Sequence, residues 1–362
     1  MQRTNDPVTR WLFVVCGLVM LMVVVGGYVR LARAGLSIVE WNVITGVVPP
    51  IGEAAWQREF AKYQQSPEYQ QVNVGMTLAE YKRIYYIEYF HRLLARLTGL
   101  IVVVPFLYFV WRGAISRSQV GVYAAIVLLF GLQGTVGWLM VKSGLLDRPA
   151  VSHVRLTIHL LLALFILAWT LWTALNRYYY AHETVPVRVS SGLSRFIVVV
   201  LGALVVQIAY GGFVAGLKAG HVSNTWPLMF GRLVPPKLLS VVQPWWLNLI
   251  ETPLTVHFIH RWFAFVVAAL IVGFAVAVRR SGVADRAVHQ GAWALVGLVG
   301  LQILLGIGVV IFEVPLSLAL LHQAGGLLLF TVTVFLAHRL LHVAPEPMPH
   351  RSQAREVALS QP

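Results

Sequence analysis

The chain has 362 residues, 58% of them hydrophobic and only 12% charged, where a water-soluble domain carries about 25% charged residues. A soluble globular fold is excluded. The formal charge of +14 does not describe a nucleic-acid surface, because the basic residues lie between apolar runs and form no single stripe.

The segment Met1 to Arg10 contains Asp6 and reads neither as a cleavable signal nor as an Arg/Ser-rich transit peptide, which favours a bacterial inner membrane over an organelle. Apolar runs follow near 11–29, 92–111, 120–141, 154–175, 195–217, 256–278, 291–312 and 316–337, each close to the ~20 residues a bilayer needs. None alternates with a period of two, so helices and not a barrel satisfy the backbone. The expected fold is an all-α integral membrane protein with eight transmembrane helices. The one cysteine, Cys16, lies inside the first run and allows no intrachain disulfide or thiolate cluster.

Between the first two runs lies a long outer loop, 31–82, with Glu40-Trp41-Asn42, Thr45-Gly46 and Pro49-Pro50. Its Trp56, Phe60, Tyr63 and Tyr69 recur at helical spacing, so it reads as ordered. A shorter partner loop carries Asn224-Thr225-Trp226-Pro227 and Pro235-Pro236. Arg3, Arg10, Arg112, Arg117, Arg177, Arg188, Arg195, Arg279, Arg280, Arg286 and Arg339 mark alternate connections. These and both termini are expected in the cytoplasm, although Arg30, Arg33, Lys82 and Arg83 fall on the other side. Residues 345–362 read as a polar, disordered tail.

Self-comparison exposes a repeat. Gly26-Gly27-Tyr28-Val29 matches Gly211-Gly212-Phe213-Val214 at an offset of 185 (211 − 26), and Ala34-Gly35, Trp41 and Gly46 match Ala219-Gly220, Trp226 and Gly231 at the same offset. His91-Arg92 then matches His260-Arg261, and Gly131-Leu132-Gln133 matches Gly300-Leu301-Gln302, both at 169 (260 − 91). The difference, 16 (185 − 169), is extra length in the first outer loop. The chain therefore divides into an N-terminal four-helix half, 1–187, and a C-terminal half, 188–344, as two tandem pseudo-symmetric bundles of one orientation.

Twelve histidines are present. His182, His289 and His350 fall in connections or the tail, and His338 and His342 at the inner end of the last span, where solvated imidazole is the default. His91, His159, His260 and His322 differ: each lies in the first turns of an even-numbered span. Asp147-Arg148-Pro149, Glu251-Thr252-Pro253 and Glu313-Val314-Pro315 announce three of those spans, and proline suits the first helical position. The histidines should then share one depth, roughly 10–15 Å along their helices at ~1.5 Å per residue. Facing imidazoles can clamp an iron porphyrin from both sides, whereas neither half offers the clustered ligands of a zinc site. His91 with His159 and His260 with His322 are the expected pairs and metal ligands. Glu88 stands one turn before His91, where the second half has His257. A carboxylate in one pocket alone suggests one reacting and one supporting site. Arg92 and Arg261 either pair with porphyrin propionates or reach for headgroups.

These residues together, Glu88-x-x-His91-Arg92, the single histidines of the later even-numbered spans, the Trp41-Asn42…Thr45-Gly46…Pro49-Pro50 loop and Asn224-Thr225-Trp226-Pro227, resemble the haem A synthase family in its proteobacterial and mitochondrial branch. The resemblance runs from Trp11 to His342. It implies oxidation of one methyl group of haem O to a formyl, giving haem A for cytochrome oxidase, by two oxidations at that carbon and loss of water. It further implies a haem b cofactor on His260 and His322, the substrate haem on His91 and His159, and Glu88 as the essential acid. If both axial positions of the substrate iron are filled, electron removal followed by water addition is the economical route. Haem O synthase, cytochrome oxidase assembly factors and further copies of the chain are the protein partners such a role allows. Some members carry a cysteine pair in the first outer loop; this chain has none, so no thiol step operates here. A di-haem electron carrier of the cytochrome b type is the alternative, but its haems stack across the membrane while these ligands crowd one leaflet. A transporter with parallel repeats would show broken mid-membrane helices, which are not evident.

Overall fold

The computed structural model describes residues 6–42, 44–146, 149–181 and 190–341. Arg3, Asp147-Arg148, His182, the 187/188 boundary, Arg188, His342, His350 and the tail 345–362 lie outside them. The described residues form helices joined by turns and three short 3-10 segments, with no strand beyond one bridge between Met229 and Arg232. The α-helices are α1 (Pro7–Leu31), α2 (Glu53–Gln64), α3 (Pro67–Gln71), α4 (Leu78–Trp111), α5 (Val120–Lys142), α6 (His153–Ala181), α7 (Ser191–Gly216), α8 (Asn248–Glu251), α9 (Pro253–Arg280), α10 (Arg286–Ile311) and α11 (Leu316–Leu341). Eight of them, all but α2, α3 and α8, are long and apolar enough to cross a bilayer.

Their ends follow from local chemistry. The Asp6 carboxylate accepts from the amides of Val8 and Thr9 ahead of Pro7, and Ser190 and Asp285 cap α7 and α10 in the same way. At α4 the Thr77 hydroxyl takes the Glu80 amide while Glu80 returns to the Thr77 amide, a reciprocal cap that satisfies two orphan donors. That cap starts α4 fourteen residues before the apolar run at 92, inside the expected outer loop. His91 is accordingly about four turns into its helix and not in the first turns. The extension is stable because Tyr81, Tyr85 and Tyr89, at i, i+4 and i+8, pack against Trp56, Phe60 and Tyr63 of α2.

Pro253 opens α9 as expected. Pro315, in contrast, precedes α11, and Pro149 lies four residues ahead of α6. His159, His260 and His322 stand six or seven residues after the first residue of their helices, whereas His91 stands thirteen after the start of α4.

Helices α1, α4, α5 and α6 close a ring of neighbours, as do α7, α9, α10 and α11 in the same order, while α6 meets α7 and α11, and α1 meets α11. One apolar core runs through both sets. Close approach between them depends on small residues: a side chain at Gly212 would strike Thr157, and one at Gly216 would strike His153. At the end of the helices away from the long loops, Arg177 pairs with Asp6, and Arg339 pairs with Asp285 at 2.5 Å and lies over the Tyr179 ring. His338 belongs to this layer. It is fully buried, bonded to Asn176 at 2.8 Å and stacked on Tyr179, so the solvated imidazole expected there is corrected. His289 also sits in the first turn of α10, not in a connection, and bonds the Val283 carbonyl at 2.7 Å.

Candidate functional site: four histidines at one end of the bundle

Each of the four singled-out histidines rests on a glycine of a neighbouring helix. A Cβ on Gly26 would come within 3.3 Å of the His91 ring, one on Gly137 within 2.9 Å of His159, one on Gly211 within 3.1 Å of His260, and one on Gly306 within 3.0 Å of His322. The glycines obey the two offsets, 185 for Gly26 and Gly211 and 169 for Gly137 and Gly306. Glutamines fix the backbone beside three of the rings: the amide of Gln133 donates to the His159 carbonyl at 3.1 Å, Gln207 to His260 at 2.9 Å and Gln302 to His322 at 2.6 Å.

The two pairs are not equivalent. His260 and His322 face one another with ring centroids 6.3 Å apart and planes at 84°. Imidazole nitrogen binds a transition metal at about 2 Å, so two rings opposed across one iron have centroids about 6 Å apart. The His260 Nδ1 lies 3.2 Å from the Gln207 carbonyl, the contact that fixes a ligating imidazole with Nε2 toward a metal. His322 Nδ1 is buried without a partner, as are Nε and Nη2 of Arg261, whose guanidinium lies 5.2 Å over Trp226. A buried cation with two unused donors beside two facing imidazoles fits an iron porphyrin with anionic propionates. In the other half, His159 is within electrostatic reach of His91, but among the described residues no ring contact joins them.

Glu88 is 2% exposed and turned toward the outer loop. Its carboxylate accepts from Arg92 Nε and Nη2 at 2.9 and 2.6 Å, from the Ser37 hydroxyl at 2.7 Å and from the Ile38 amide at 2.9 Å. Arg92 also donates from Nη1 and Nη2 to the carbonyls of Glu40 and Ile38 and lies 6.0 Å from the Trp41 ring centroid. Arg92 is therefore a strap between α4 and the loop, where Arg261 keeps free donors. Above it lies a cavity of about 240 Å³ bordered by Glu40, Arg58, Tyr85, Tyr89 and Arg96.

A second buried carboxylate, Glu68 in α3, accepts from the Tyr63 hydroxyl at 3.2 Å. Burial pushes its pKa up to about 7, the nearby Glu88 adds to the rise, and Tyr63, Lys218 and Arg33 work against it. Nothing in the loop's sequence marks Glu68; its burial follows from the aromatic packing of α2 against α4.

The model of the family described as COX15-CtaA, cytochrome oxidase assembly protein, matches residues 9–334. The chain belongs to the haem A synthase family. It is 44% identical to the "Heme A synthase" of Nitrosospira multiformis over 336 residues, 93% of this chain and 94% of that one. It is 46% identical to that of Bradyrhizobium sp. (strain ORS 278) over 342 residues, 93% and 92% of the two chains. The same name is carried by a Wolbachia sp. subsp. Brugia malayi relative, 42% identical over 330 residues, 91% and 95% of the two. As a haem A synthase family member with eight spans, it is a bacterial membrane protein that handles haem.

Proposed function

We propose that this protein is a haem A synthase, an oxidoreductase that converts a methyl group of haem O to the formyl of haem A. Membership of the family supports the reaction. The observation that carries the assignment of sites is the facing pair His260 and His322 at 6.3 Å, each ring seated on a glycine.

His260 and His322 would hold haem b, with Arg261 at its propionates. Bound there, haem b supplies a one-electron redox centre beside the reacting half. His91 and His159 receive haem O as substrate, each ring seated on a glycine, Gly26 and Gly137. Gln133 steadies the His159 backbone from α5.

Glu88 acts electrostatically in this reading. Four donors converge on its carboxylate and occupy its lone pairs. A fixed negative charge one turn from His91 favours positive charge developing at the substrate, a task a dry, preorganised site performs well.

The N-terminal half, residues 1–187, is thus the substrate half and residues 188–344 the cofactor half. The histidine end faces the periplasm of a bacterial inner membrane, with the termini in the cytoplasm, and haem O synthase supplies the substrate. Expression in a host that makes haem O but lacks its own enzyme tests the function: haem A appears in extracts with the parental chain. Accumulation of haem O with no haem A overturns the assignment.

A further inference from the structure

The repeat gives every helix of the substrate half a counterpart, so the two halves can be compared seam by seam. The seam between α4 and α5 is the loose one: these helices touch along less of their length than α9 and α10 do. Helix α5 buries only Tyr123 and Ile126, both in its first two turns, whereas α10 buries residues from Val288 to Val310.

The sequence accounts for the difference. Gly131, Gly134 and Trp138 follow one another at helical spacing on α5. Trp138 meets Trp41 with centroids 6.2 Å apart, and Arg92 of α4 lies over Trp41, so this face of α5 looks toward α4. On α4, Ile101 marks the α1 side, since its carbonyl accepts from the Trp11 indole at 2.8 Å. Gly99, two residues earlier, is turned by about 200° at 3.6 residues per turn and lies on the opposite flank. A Cβ on Gly99, Gly131 or Gly134 would meet nothing within 4 Å. At the offset of 169, Gly99 and Gly134 correspond to Ala268 and Ile303 (99 + 169; 134 + 169), and both of those pack against the apolar core. Those two side chains are missing from the substrate half, whereas Gly131 has a glycine counterpart, Gly300, whose Cβ would also meet nothing within 4 Å. Trp41 and Trp138 meet at the outer end of α5, and Leu100 of α4 and Leu128 of α5 are 58% and 73% exposed.

We infer that the α4–α5 seam is a lateral portal, through which haem O passes between the bilayer and the His91 pocket with its isoprenoid chain lying along Gly99, Gly131 and Gly134. The inference rests on the reading of that pocket as the haem O site. Haem O is an amphipath with a long apolar chain; drawing that chain through water costs about 0.8 kcal/mol per methylene, and a seam at bilayer depth avoids this. The substrate needs such a passage and a resident cofactor does not, which matches the half in which Gly99 and Gly134 occur.

The test installs the cofactor-half residues. The double variant Gly99→Ala/Gly134→Ile adds side chains where there is room, so haem B content should stay parental. Haem O presented in phospholipid vesicles to the full chain, followed by visible spectra and pigment extraction, should load at least tenfold more slowly than in the parental protein. Gly131→Leu is a second, independent obstruction with the same expected slowing. Gly17→Leu, on α1 where a Cβ also meets nothing, should load at the parental rate. Parental loading in both obstructed variants overturns the portal. A parental protein that takes up haem B but never haem O overturns instead the reading of the pocket beneath it.

Discussion

Removing the charge of Glu88 separates its structural work from its chemical work. Its carboxylate is 3% exposed as a side chain and Arg92 is 14% exposed, so Glu88→Gln leaves a guanidinium nearly out of water with a neutral partner. It also turns an amide donor toward at least one of the donors now satisfied. Breaking one side of a buried ion pair costs about 3–5 kcal/mol, while replacing both sides by apolar or neutral groups is close to neutral. Arg92 also bonds two loop carbonyls, so Arg92→Met alone should cost about 3–5 kcal/mol by the same rule. The double variant Glu88→Gln/Arg92→Met should then lose less than the sum, with a coupling of about 2 kcal/mol. Thermal midpoints in detergent and limited proteolysis of the 38–48 loop read the stability; extracted pigments read the chemistry. The account expects haem O to be retained by Glu88→Gln and by the double variant, with haem A lost in both even where stability recovers. Additive losses would refute the buried pair, and haem A at the parental level in Glu88→Gln would refute the electrostatic role.

Other outcomes follow from the same geometry. Glu68 has a folded pKa raised from 4.5 to about 7, so the folded state binds the extra proton between those values and stability falls as pH rises from 4.5 to 7. Glu68→Gln should remove that fall, worth about 3 kcal/mol at 1.36 kcal/mol per unit, and should be more thermostable than the parent at pH 8 but not at pH 4.5; parallel melting curves would contradict it. Gly306→Ala puts a Cβ 3.0 Å from the His322 ring and should weaken haem B retention about tenfold, or about 1.4 kcal/mol, on dialysis against a haem-binding competitor. Arg339→Met leaves Asp285, 14% exposed, without its partner and should lower the thermal midpoint by the equivalent of about 3 kcal/mol, with haem content unchanged in the folded fraction.

The eight spans and the repeat were legible because each is a matter of length and spacing along the chain. Interactions between helices were not. Glu88 and His91 share a helix face by spacing, yet the carboxylate turns to Arg92 and Ser37, since a loop folded back over α4 outcompetes the neighbour one turn away. The glycines behind the rings were visible as repeats at 26 and 211, but their purpose, close approach by an imidazole of another helix, needs the packing. The extension of α4 had a signal that hydropathy ignores, Thr77 followed by Glu80 and tyrosines at every fourth position. A histidine at the end of a span is solvated by default, but His338 is enclosed by Asn176 and Tyr179 of another helix, a contact no spacing along α11 announces.

The most direct measurement is the pigment composition of the four single histidine variants purified from a host that makes haem O. His260→Ala and His322→Ala should lose haem B. His91→Ala and His159→Ala should keep haem B and lose haem O and haem A. A colourless parental protein, or haem B lost equally from all four variants, would contradict two separate imidazole pairs.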